Sequence, residues 1–407
     1  MKADLIIVGA GMVGSALALA LQDSGLRVLL LDGASLQPQA FSEQDPFEPR
    51  VSALSAASQR ILERLGAWDG IAARRKSPYT DMHVWDGTGT GEIHFAATSL
   101  HTEVLGHIVE NRIVQDALLE CLHAGAQVEL QAEARLEGLR REGSRWTLTL
   151  ADGRQLQAPL VVAADGGQSA VRRLAGCETR EWDYLHHAIV TSVRCAEPHL
   201  RTAWQRFTED GPLAFLPLRR AGDQDHWCSI VWSCTPAVAE RMMALETAAF
   251  TDALAKAFEY RLGAVLEADA RLCLPLRQRH AKRYVQPGLA LIGDAAHTIH
   301  PLAGQGVNLG FLDAAVLAEV LLQAAGRGEE LADPRVLSRY ERRRMPQNLT
   351  MMAAMEGFER LFDADNLSLR LLRNIGLRQV EALPAAKALF MRQALGTSGD
   401  LPVLAKP

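Results

Sequence analysis

The order of elements in residues 1–32 constrains the fold more than any other feature of this chain. Residues 5–8 are a continuous run of Leu, Ile and Val, which is typical of a strand buried on both faces of a parallel sheet. A glycine-rich loop, a small apolar helix over residues 15–21 and a second strand over residues 27–31 follow. This order predicts the opening unit of a doubly wound α/β domain.

The loop carries the pattern Gly-x-Gly-x-x-Gly at Gly9, Gly11 and Gly14. In a dinucleotide-binding loop the first glycine permits the tight turn, the second lets the backbone approach a pyrophosphate, and the third lets helix and strand pack closely. The helix N-terminus offers free N–H groups to the phosphates, and Asp32 ends the next strand where a carboxylate binds the adenosine ribose. The alternative is a purely structural turn, and the pattern does not choose between NAD and FAD.

A second motif follows a strand predicted over residues 160–164. Asp165, Gly166 and Gly167 stand at the carboxyl end of this strand, and Arg172 lies one helical turn further on. Taken alone, the segment is better explained as a turn followed by a helix that Ser169 caps.

A third motif, Gly293-Asp294, follows a strand predicted over residues 289–292, and the glycine-rich stretch 300–310 (HPLAGQGVNLG) then opens a helix. A second helix N-terminus aimed into the same crevice can stabilise the negative charge of a reduced flavin. A simple nicotinamide dehydrogenase has no need of such a site. The combination therefore favours FAD as the bound dinucleotide.

Together, the three motifs resemble those of the flavoprotein monooxygenases typified by para-hydroxybenzoate hydroxylase, and residues 300–313 resemble the signature of the ubiquinone-biosynthesis hydroxylases. The resemblance covers nearly the whole chain and includes residues 50–58 (RVSALSAAS), 105–111 (LGHIVEN), 214–218 (AFLPL) and 228–232 (CSIVW). Within that family the chain is most similar to the 2-polyprenylphenol hydroxylase branch, and sister branches share most of these motifs.

The resemblance implies a set of FAD ligands and no metal site. It places Gly9, Ala10, Gly11, Met12 and Gly14 at the pyrophosphate, Asp32 at the adenosine ribose, Arg50 and Asn111 at the flavin half, Asp165 and Gly166 at FAD and the passing nicotinamide, Gly293 and Asp294 at the ribityl and pyrophosphate region, and His300, Pro301, Gly304, Gly306, Val307 and Asn308 near the isoalloxazine ring. Arg112 stands where a smaller residue is expected, and it is interpreted as an exposed arginine at the start of a helix.

The implied reaction hydroxylates the aromatic ring of a polyprenyl phenol in ubiquinone biosynthesis. NADH or NADPH reduces FAD as a transient co-substrate, and one oxygen atom of O2 reaches the ring through a flavin hydroperoxide. A base would assist, because a phenol has a pKa of about 10. His186, His187, His297 and His300 are the candidates. Structural hydrogen bonding is favoured for His297 and His300, and no catalytic base is assigned.

Three alternatives to this reaction remain open. They are a sister hydroxylase that acts at another ring position, a flavin dehydrogenase or oxidase, and a non-catalytic flavin-binding scaffold. A prenylated phenol is favoured over free 4-hydroxybenzoate because residues 214–218 and 229–232, the expected pocket strands, contain no Lys or Arg to pair with a buried carboxylate.

The expected fold is α/β, with a Rossmann-like FAD-binding domain, a β-sheet substrate domain and a helical C-terminal region. The predicted boundaries are 1–78, 96–182 and 273–330 for the discontinuous FAD-binding domain, 79–95 and 183–272 for the substrate domain, and 331–407 for the C-terminal region. Strands are predicted over 189–194, 215–218 and 227–232, and Gly87, Gly89 and Gly91 predict a hairpin turn and not a phosphate loop.

The amino-acid composition limits the classes of partner and the cellular location that we expect. A net charge of −5 over 407 residues argues against a nucleic-acid partner. The six cysteines lack metal-ligand spacing, and neither a signal segment nor an apolar run near 18 residues is apparent, so we expect a cytoplasmic protein with at most peripheral contact at the inner face of the membrane. Residues 345–395 mix apolar side chains with arginines, which favours a helical lid over a surface for anionic lipid or for subunits of a ubiquinone-biosynthesis complex. Homo-oligomerisation is left open.

Overall fold

The computed structural model describes residues 3–299, 306–363, 387, 391 and 395–407, and for residues 358–363 it describes the backbone alone. The strands are β1 (Leu5–Val8), β2 (Val28–Leu31), β3 (Val51–Leu54), β4 (Ser77–Tyr79), β5 (Asp81–Asp86), β6 (Glu92–Ala96), β7 (Gly106–Glu110), β8 (Val128–Gln131), β9 (Leu136–Glu142), β10 (Arg145–Leu150), β11 (Gln155–Ala158), β12 (Leu160–Ala163), β13 (Thr179–Cys195), β14 (Thr202–Thr208), β15 (Gly211–Arg220), β16 (Asp223–Cys234), β17 (Val265–Ala268), β18 (Leu272–Ala281), β19 (Val285–Gln286), β20 (Leu289–Leu291) and β21 (His297–Thr298). The helices are α1 (Met12–Ala20), α2 (Ala56–Arg64), α3 (Trp68–Ala72), α4 (Asn111–Ala124), α5 (Ala170–Leu174), α6 (Pro236–Ala244), α7 (Thr247–Ala257), α8 (Gly306–Gly326) and α9 (Pro334–Asp363).

A six-stranded sheet in the order β19-β20-β12-β1-β2-β8 forms the first layer. Its five strands from β20 to β8 are parallel, and every residue of β1, β2 and β12 is buried. The prediction of a doubly buried parallel sheet is confirmed. Because parallel strands end at one edge, the loops after β1, β2, β12 and β20 converge on a single crevice.

A nine-stranded sheet in the order β21-β18-β13-β16-β15-β14-β5-β6, with β17 paired to β13, forms the second body. Helices α6 and α7 cover one of its faces, and the other face packs on the three-stranded sheet β3-β7-β4. The strands predicted over 189–194, 215–218 and 227–232 lie within β13, β15 and β16. The glycines at 87–91 form the turn of an antiparallel hairpin between β5 and β6, as predicted.

The nine-stranded sheet extends beyond the range predicted for the substrate domain. Strand β13 begins at Thr179, and β18, which the sequence assigned to the FAD-binding domain, pairs with β13 along ten residue pairs. That assignment is wrong for β18. The polar sequence of β18 does not indicate β13 as its partner strand, because the two strands lie about ninety residues apart in sequence.

Helix α8 is long and apolar enough to span a bilayer by length and composition alone, although Asp313 and Glu319 interrupt its apolar residues. Most of its residues are buried in the protein, where it packs against α1, α2 and α9, and it is therefore a core helix.

The expectation of helix to the end of the chain fails for residues 395–407, where the regular element is one 3-10 turn, Val403–Ala405. Gly396, Gly399 and Pro402 disfavour helix there.

Candidate functional site

The glycine-rich loop after β1 has the geometry that its pattern predicts. A Cβ atom on Gly14 would lie 1.9 Å from the carbonyl oxygen of Gly9, so α1 approaches the loop as closely as only glycine permits. A Cβ atom on Gly11 would meet no protein atom within 4 Å, and no side chain caps the helix that begins after Gly11. The open space and the free N–H groups together fit a pyrophosphate at this helix N-terminus.

Asp32 lies at the end of β2, beside this loop. One carboxylate oxygen accepts a hydrogen bond from the Ala10 N–H at 2.7 Å, and the other accepts from the Ala34 N–H at 2.8 Å. A carboxylate has about four acceptor sites, so two remain for hydroxyl groups of a ribose. Asp32 thus both fixes the loop and keeps the capacity that its predicted role requires.

In the motif after β12, the structure shows the turn and capped helix that the sequence analysis favoured for this segment taken alone. Ser169 caps α5, because its hydroxyl accepts from the Arg172 N–H at 2.9 Å. Asp165 accepts from the Ser169 hydroxyl at 2.5 Å and from the Val171 N–H at 3.0 Å. The buried guanidinium of Arg172 donates to the carbonyl of Ala295, at 2.9 Å, in the third motif. Arg172 therefore joins the second and third motifs.

The third motif forms a tight turn after β20. Gly293 has a φ of 57°, in the left-handed region that favours glycine, and begins the 3-10 turn Gly293–Ala295. The side chain of Asp294 is open to solvent at the crevice although protein atoms crowd around it. This partial desolvation raises the pKa of Asp294, and the positive charges of His297 and Arg50 oppose the shift.

Helix α8 lies against the first and third motifs through a contact that the sequence analysis missed. Val13, in the first turn of α1, stands between Gly293 and Gly310. A Cβ atom on Gly310 would lie 2.5 Å from a methyl carbon of Val13. Gly310, two residues after Asn308, could have indicated this close packing, because glycine lets another chain segment approach the backbone closely.

Arg50 and Asn111 lie together, as their predicted shared contact with the flavin half requires. The Asn111 N–H donates to the Arg50 carbonyl at 3.0 Å, and the Asn111 side-chain oxygen accepts from the Ser52 hydroxyl at 2.6 Å. Arg50 is exposed, and its charge acts on the Asp294 carboxyl. The structure therefore brings Arg50, Asn111 and Asp294 to one side of the crevice.

The residues predicted near the isoalloxazine ring are only partly described. His300, Pro301 and Gly304 lie outside the described residues, whereas Gly306 and Val307 begin α8. The side chain of Asn308 is buried and bonds the Ser55 N–H at 3.0 Å, the Ser58 hydroxyl at 2.7 Å and the Ala53 carbonyl at 2.8 Å. It anchors α8 to β3 and α2, so a contact of Asn308 with the cofactor would use its main chain.

Arg112 lies at the start of α4, as interpreted from the sequence, but its side chain is partly buried rather than exposed. Its guanidinium donates to the Gln39 side chain at 3.0 Å and lies 3.7 Å from the Glu48 carboxylate. It therefore attaches α4 to the polar loop over residues 33–49. The buried pair of Arg75 and Glu110, joined at 2.9 Å, holds the same loop, because Arg75 also donates to the Asp45 carbonyl at 2.7 Å. Contacts of this kind join residues far apart in the chain, so no local sequence pattern predicts them.

Two of the four candidate histidines, His186 and His187, lie on β13. His297 is fully buried, and its Nε2 lies 2.5 Å from the Asp313 carboxylate, which Arg344 also contacts at 2.7 Å. Burial alone would raise the pKa of Asp313, but the charges of His297 and Arg344 outweigh it and lower the pKa to about 2. The sequence analysis quoted Asp313 within a motif without giving it a role and missed Arg344.

The predicted pocket strands contribute alternate residues to opposite faces of the nine-stranded sheet. Phe215 and Ile230 pack towards α6 and α7, whereas Leu216 packs towards β3 and β7, and Val231 packs against that same cluster. The hydroxyl of Ser229, opposite Leu216, is buried and has no hydrogen-bond partner among the described residues. Only half of each strand can thus face the FAD-binding side, since side chains alternate with a period of two.

A cavity of about 290 Å³ lies elsewhere, near Ala3, Arg27 and Glu129. These residues border the end of the six-stranded sheet where β1 and β2 begin. Ligands of open α/β sheets bind at the carboxyl ends of the strands, so this cavity is not the cofactor site.

A family model described as FAD binding domain matches residues 2–354 of the chain. The chain is 41% identical over 393 residues to the 3-demethoxyubiquinol 3-hydroxylase of Escherichia coli (strain K12), covering 97% of this chain and 98% of that protein. The chain belongs to the family of ubiquinone-biosynthesis flavin hydroxylases. Members of this hydroxylase family bind FAD, and the glycine cradle, Asp32 and Asp294 fit that cofactor.

A second relative and two solved structures are similar to the chain over nearly its whole length. Ubiquinone hydroxylase UbiL of Rhodospirillum rubrum is 38% identical, with 97% of this chain and 90% of that protein covered. The p-nitrophenol 4-monooxygenase PnpA from Pseudomonas putida superposes with a TM-score of 0.77 at 21% identity, over 98% of this chain and 100% of PnpA. HpxO of Klebsiella pneumoniae, solved in complex with FAD, superposes with a TM-score of 0.74 at 18% identity, over 97% of this chain and 99% of HpxO. These structures establish the fold.

Proposed function

We propose that the chain hydroxylates the aromatic ring of a polyprenylated ubiquinone precursor, with NAD(P)H and O2 as co-substrates. The observation that carries this proposal is the apolar face of the nine-stranded sheet. Leu216 and Val231 on this face lie in strands whose segments 214–218 and 229–232 have no lysine or arginine. Bound FAD supplies the activation of oxygen.

The residues of the chain bind and orient the reactants. Gly9, Gly11 and Gly14 with the α1 N-terminus hold the pyrophosphate, and Asp32 holds the adenosine ribose. Asp294 and Arg50 lie at the flavin half of the crevice. Asp165 and Gly166 serve FAD and the passing nicotinamide.

The apolar face supports a decarboxylated ring with a prenyl tail. A free carboxylate would need a buried cationic partner to offset its desolvation, whereas a long apolar tail contributes binding energy by burial. One relative is named as a 3-demethoxyubiquinol 3-hydroxylase and another as a ubiquinone hydroxylase. We therefore propose 3-demethoxyubiquinol and a 2-polyprenylphenol as the two substrates to compare, with the second being the one that the sequence motifs favour.

The test is oxygen incorporation. The protein with FAD is given NADH or NADPH, each candidate substrate and ¹⁸O2, and products are identified by mass spectrometry. We expect label in a prenylated product, and only uncoupled peroxide from 4-hydroxybenzoate. Substrate-stimulated NAD(P)H oxidation without label would favour a dehydrogenase or oxidase, and no stimulated oxidation would favour a flavin-binding scaffold. Efficient hydroxylation of 4-hydroxybenzoate alone would overturn the proposal.

The C-terminal region is proposed as a lid over the prenyl substrate. Met351 and Met352 pack with Ile299 and Leu309, which flank the flavin loop on both sides in sequence. Residues 364–386, with Arg370, Arg373 and Arg378, lie outside the described residues.

A charge variant separates the lid from a membrane surface. Replacing all three of these arginines with glutamine should leave binding to vesicles of anionic phospholipid unchanged. A marked loss of vesicle binding would favour the alternative, a peripheral site at the inner face of the membrane.

A further inference from the structure

A single buried carboxylate closes the loop that carries Asp294. One oxygen of Asp313 accepts from the Gly293 N–H at 3.1 Å and from Nε2 of His297 at 2.5 Å. Gly293 and His297 are the two ends of a five-residue segment with Asp294 inside it. Both ends are therefore fixed to the same oxygen atom.

The other oxygen of Asp313 is held by helix α9. Nε of Arg344 donates to it at 2.7 Å, and the side-chain nitrogen of Asn348 donates at 3.1 Å. Asn348 in turn accepts from Arg344 at 2.7 Å. All three side chains are buried, so the carboxylate of Asp313 has four donors and little room to shift.

Among the described residues, Asp313 is the hydrogen-bond partner of the His297 ring, and the ring of Tyr284 lies beside it with 5.8 Å between ring centroids. Nδ1 of His297 is buried without a hydrogen-bond partner among the described residues, so Asp313 fixes the orientation of the ring. Residue 297 lies in β21, the strand that leads into the flavin loop beginning at residue 300. Asp313 thus acts on the third motif and on the entrance to the flavin loop together.

We propose that Asp313 is a positioning residue of the FAD site, which holds the loop of Asp294 in its cofactor-binding conformation and is itself oriented by Arg344 and Asn348. The proposal requires FAD binding but not any particular aromatic substrate. Its failure is thus distinguishable from failure of the proposed reaction, because every measurement below is made without substrate.

The test is FAD affinity of the full-length apoprotein, measured by quenching of flavin fluorescence, with the visible spectrum of the bound flavin as a second readout. Asp313→Asn places an amide N–H₂ where two donors already point, so it should weaken FAD binding about tenfold or more and change the flavin spectrum. Arg344→Gln should weaken binding similarly. Arg344→Lys keeps a charged donor and should recover part of the affinity.

The matched control is Arg339→Gln. Arg339 lies on the same helix but pairs with Glu329 in a half-exposed site, so its loss should leave FAD affinity and the flavin spectrum unchanged. Should Asp313→Asn fail to fold, the comparison between Arg344→Lys and Arg344→Gln decides. The proposal would be overturned if Arg344→Gln bound FAD with wild-type affinity, or if Arg339→Gln lost as much FAD affinity as Arg344→Gln. A fall in thermal stability alone would not support it, because a purely structural network would change unfolding and not cofactor affinity.

Discussion

Replacing Gly14 with alanine should disrupt the pyrophosphate loop, because the single Cβ atom that it adds overlaps the backbone of the loop. The added Cβ would lie 1.9 Å from the Gly9 carbonyl oxygen, and ordinary contact begins at 3.4 Å, so helix and loop must separate by about 1.5 Å. Overpacking of this kind costs about 1–3 kcal/mol of folding free energy. A shift of about 1 Å in a positioned group can lower a reaction rate about a hundredfold. We expect the same displacement of the pyrophosphate loop to weaken FAD binding by about that factor.

Gly11→Ala provides the comparison, because its Cβ would meet no protein atom within 4 Å. Its apoprotein should unfold at the wild-type urea concentration, whereas its FAD affinity should fall because the methyl group occupies the space of the pyrophosphate. Gly326→Ala, at the end of α8 and equally unobstructed, should change neither quantity. The assay is urea unfolding of each apoprotein together with FAD titration. Full FAD occupancy in Gly14→Ala, or equal destabilisation by Gly11→Ala, would refute the reasoning.

Three further predictions follow from the described contacts. Asp294→Ala should lose FAD while the apoprotein keeps its far-ultraviolet circular dichroism, and retained yellow colour after gel filtration would contradict the assignment. Because the pKa of Asp313 is lowered from 3.8 to about 2, its charged form stabilises the fold above pH 4 by about 2 kcal/mol, and this contribution disappears as the pH falls towards 2. Urea unfolding of wild type and Asp313→Asn should therefore converge between pH 5 and pH 2.5, and a constant difference would refute the shift. Glu110→Gln leaves the guanidinium of Arg75 buried without its ion pair and should cost about 3–5 kcal/mol in urea unfolding, whereas a cost under about 1 kcal/mol would show that this pair is not needed.

Local patterns predicted the strands and turns that border the proposed cofactor crevice. The strands before Gly9 and Asp165 are apolar along their whole length, and turn residues follow each of them directly. Asp32 could be placed because the strand that ends at it begins only a short helix later. Over such short separations, chain connectivity leaves few arrangements, and connections in α/β units are short and of one hand.

The tertiary structure alone decided which buried charges meet. Asp313 takes donors from Gly293, 20 residues before it, and from Arg344, 31 residues after it, and the sequence offers several arginines near residue 344 that point elsewhere. Arg172 likewise finds its carbonyl partner in Ala295, 123 residues away. A buried charge is stable only with partners in place, and its partners depend on how helices pack after the chain has collapsed. The sequence therefore determined where the dinucleotide loop and its acids lie along the strands, whereas helix packing determined what holds them in position.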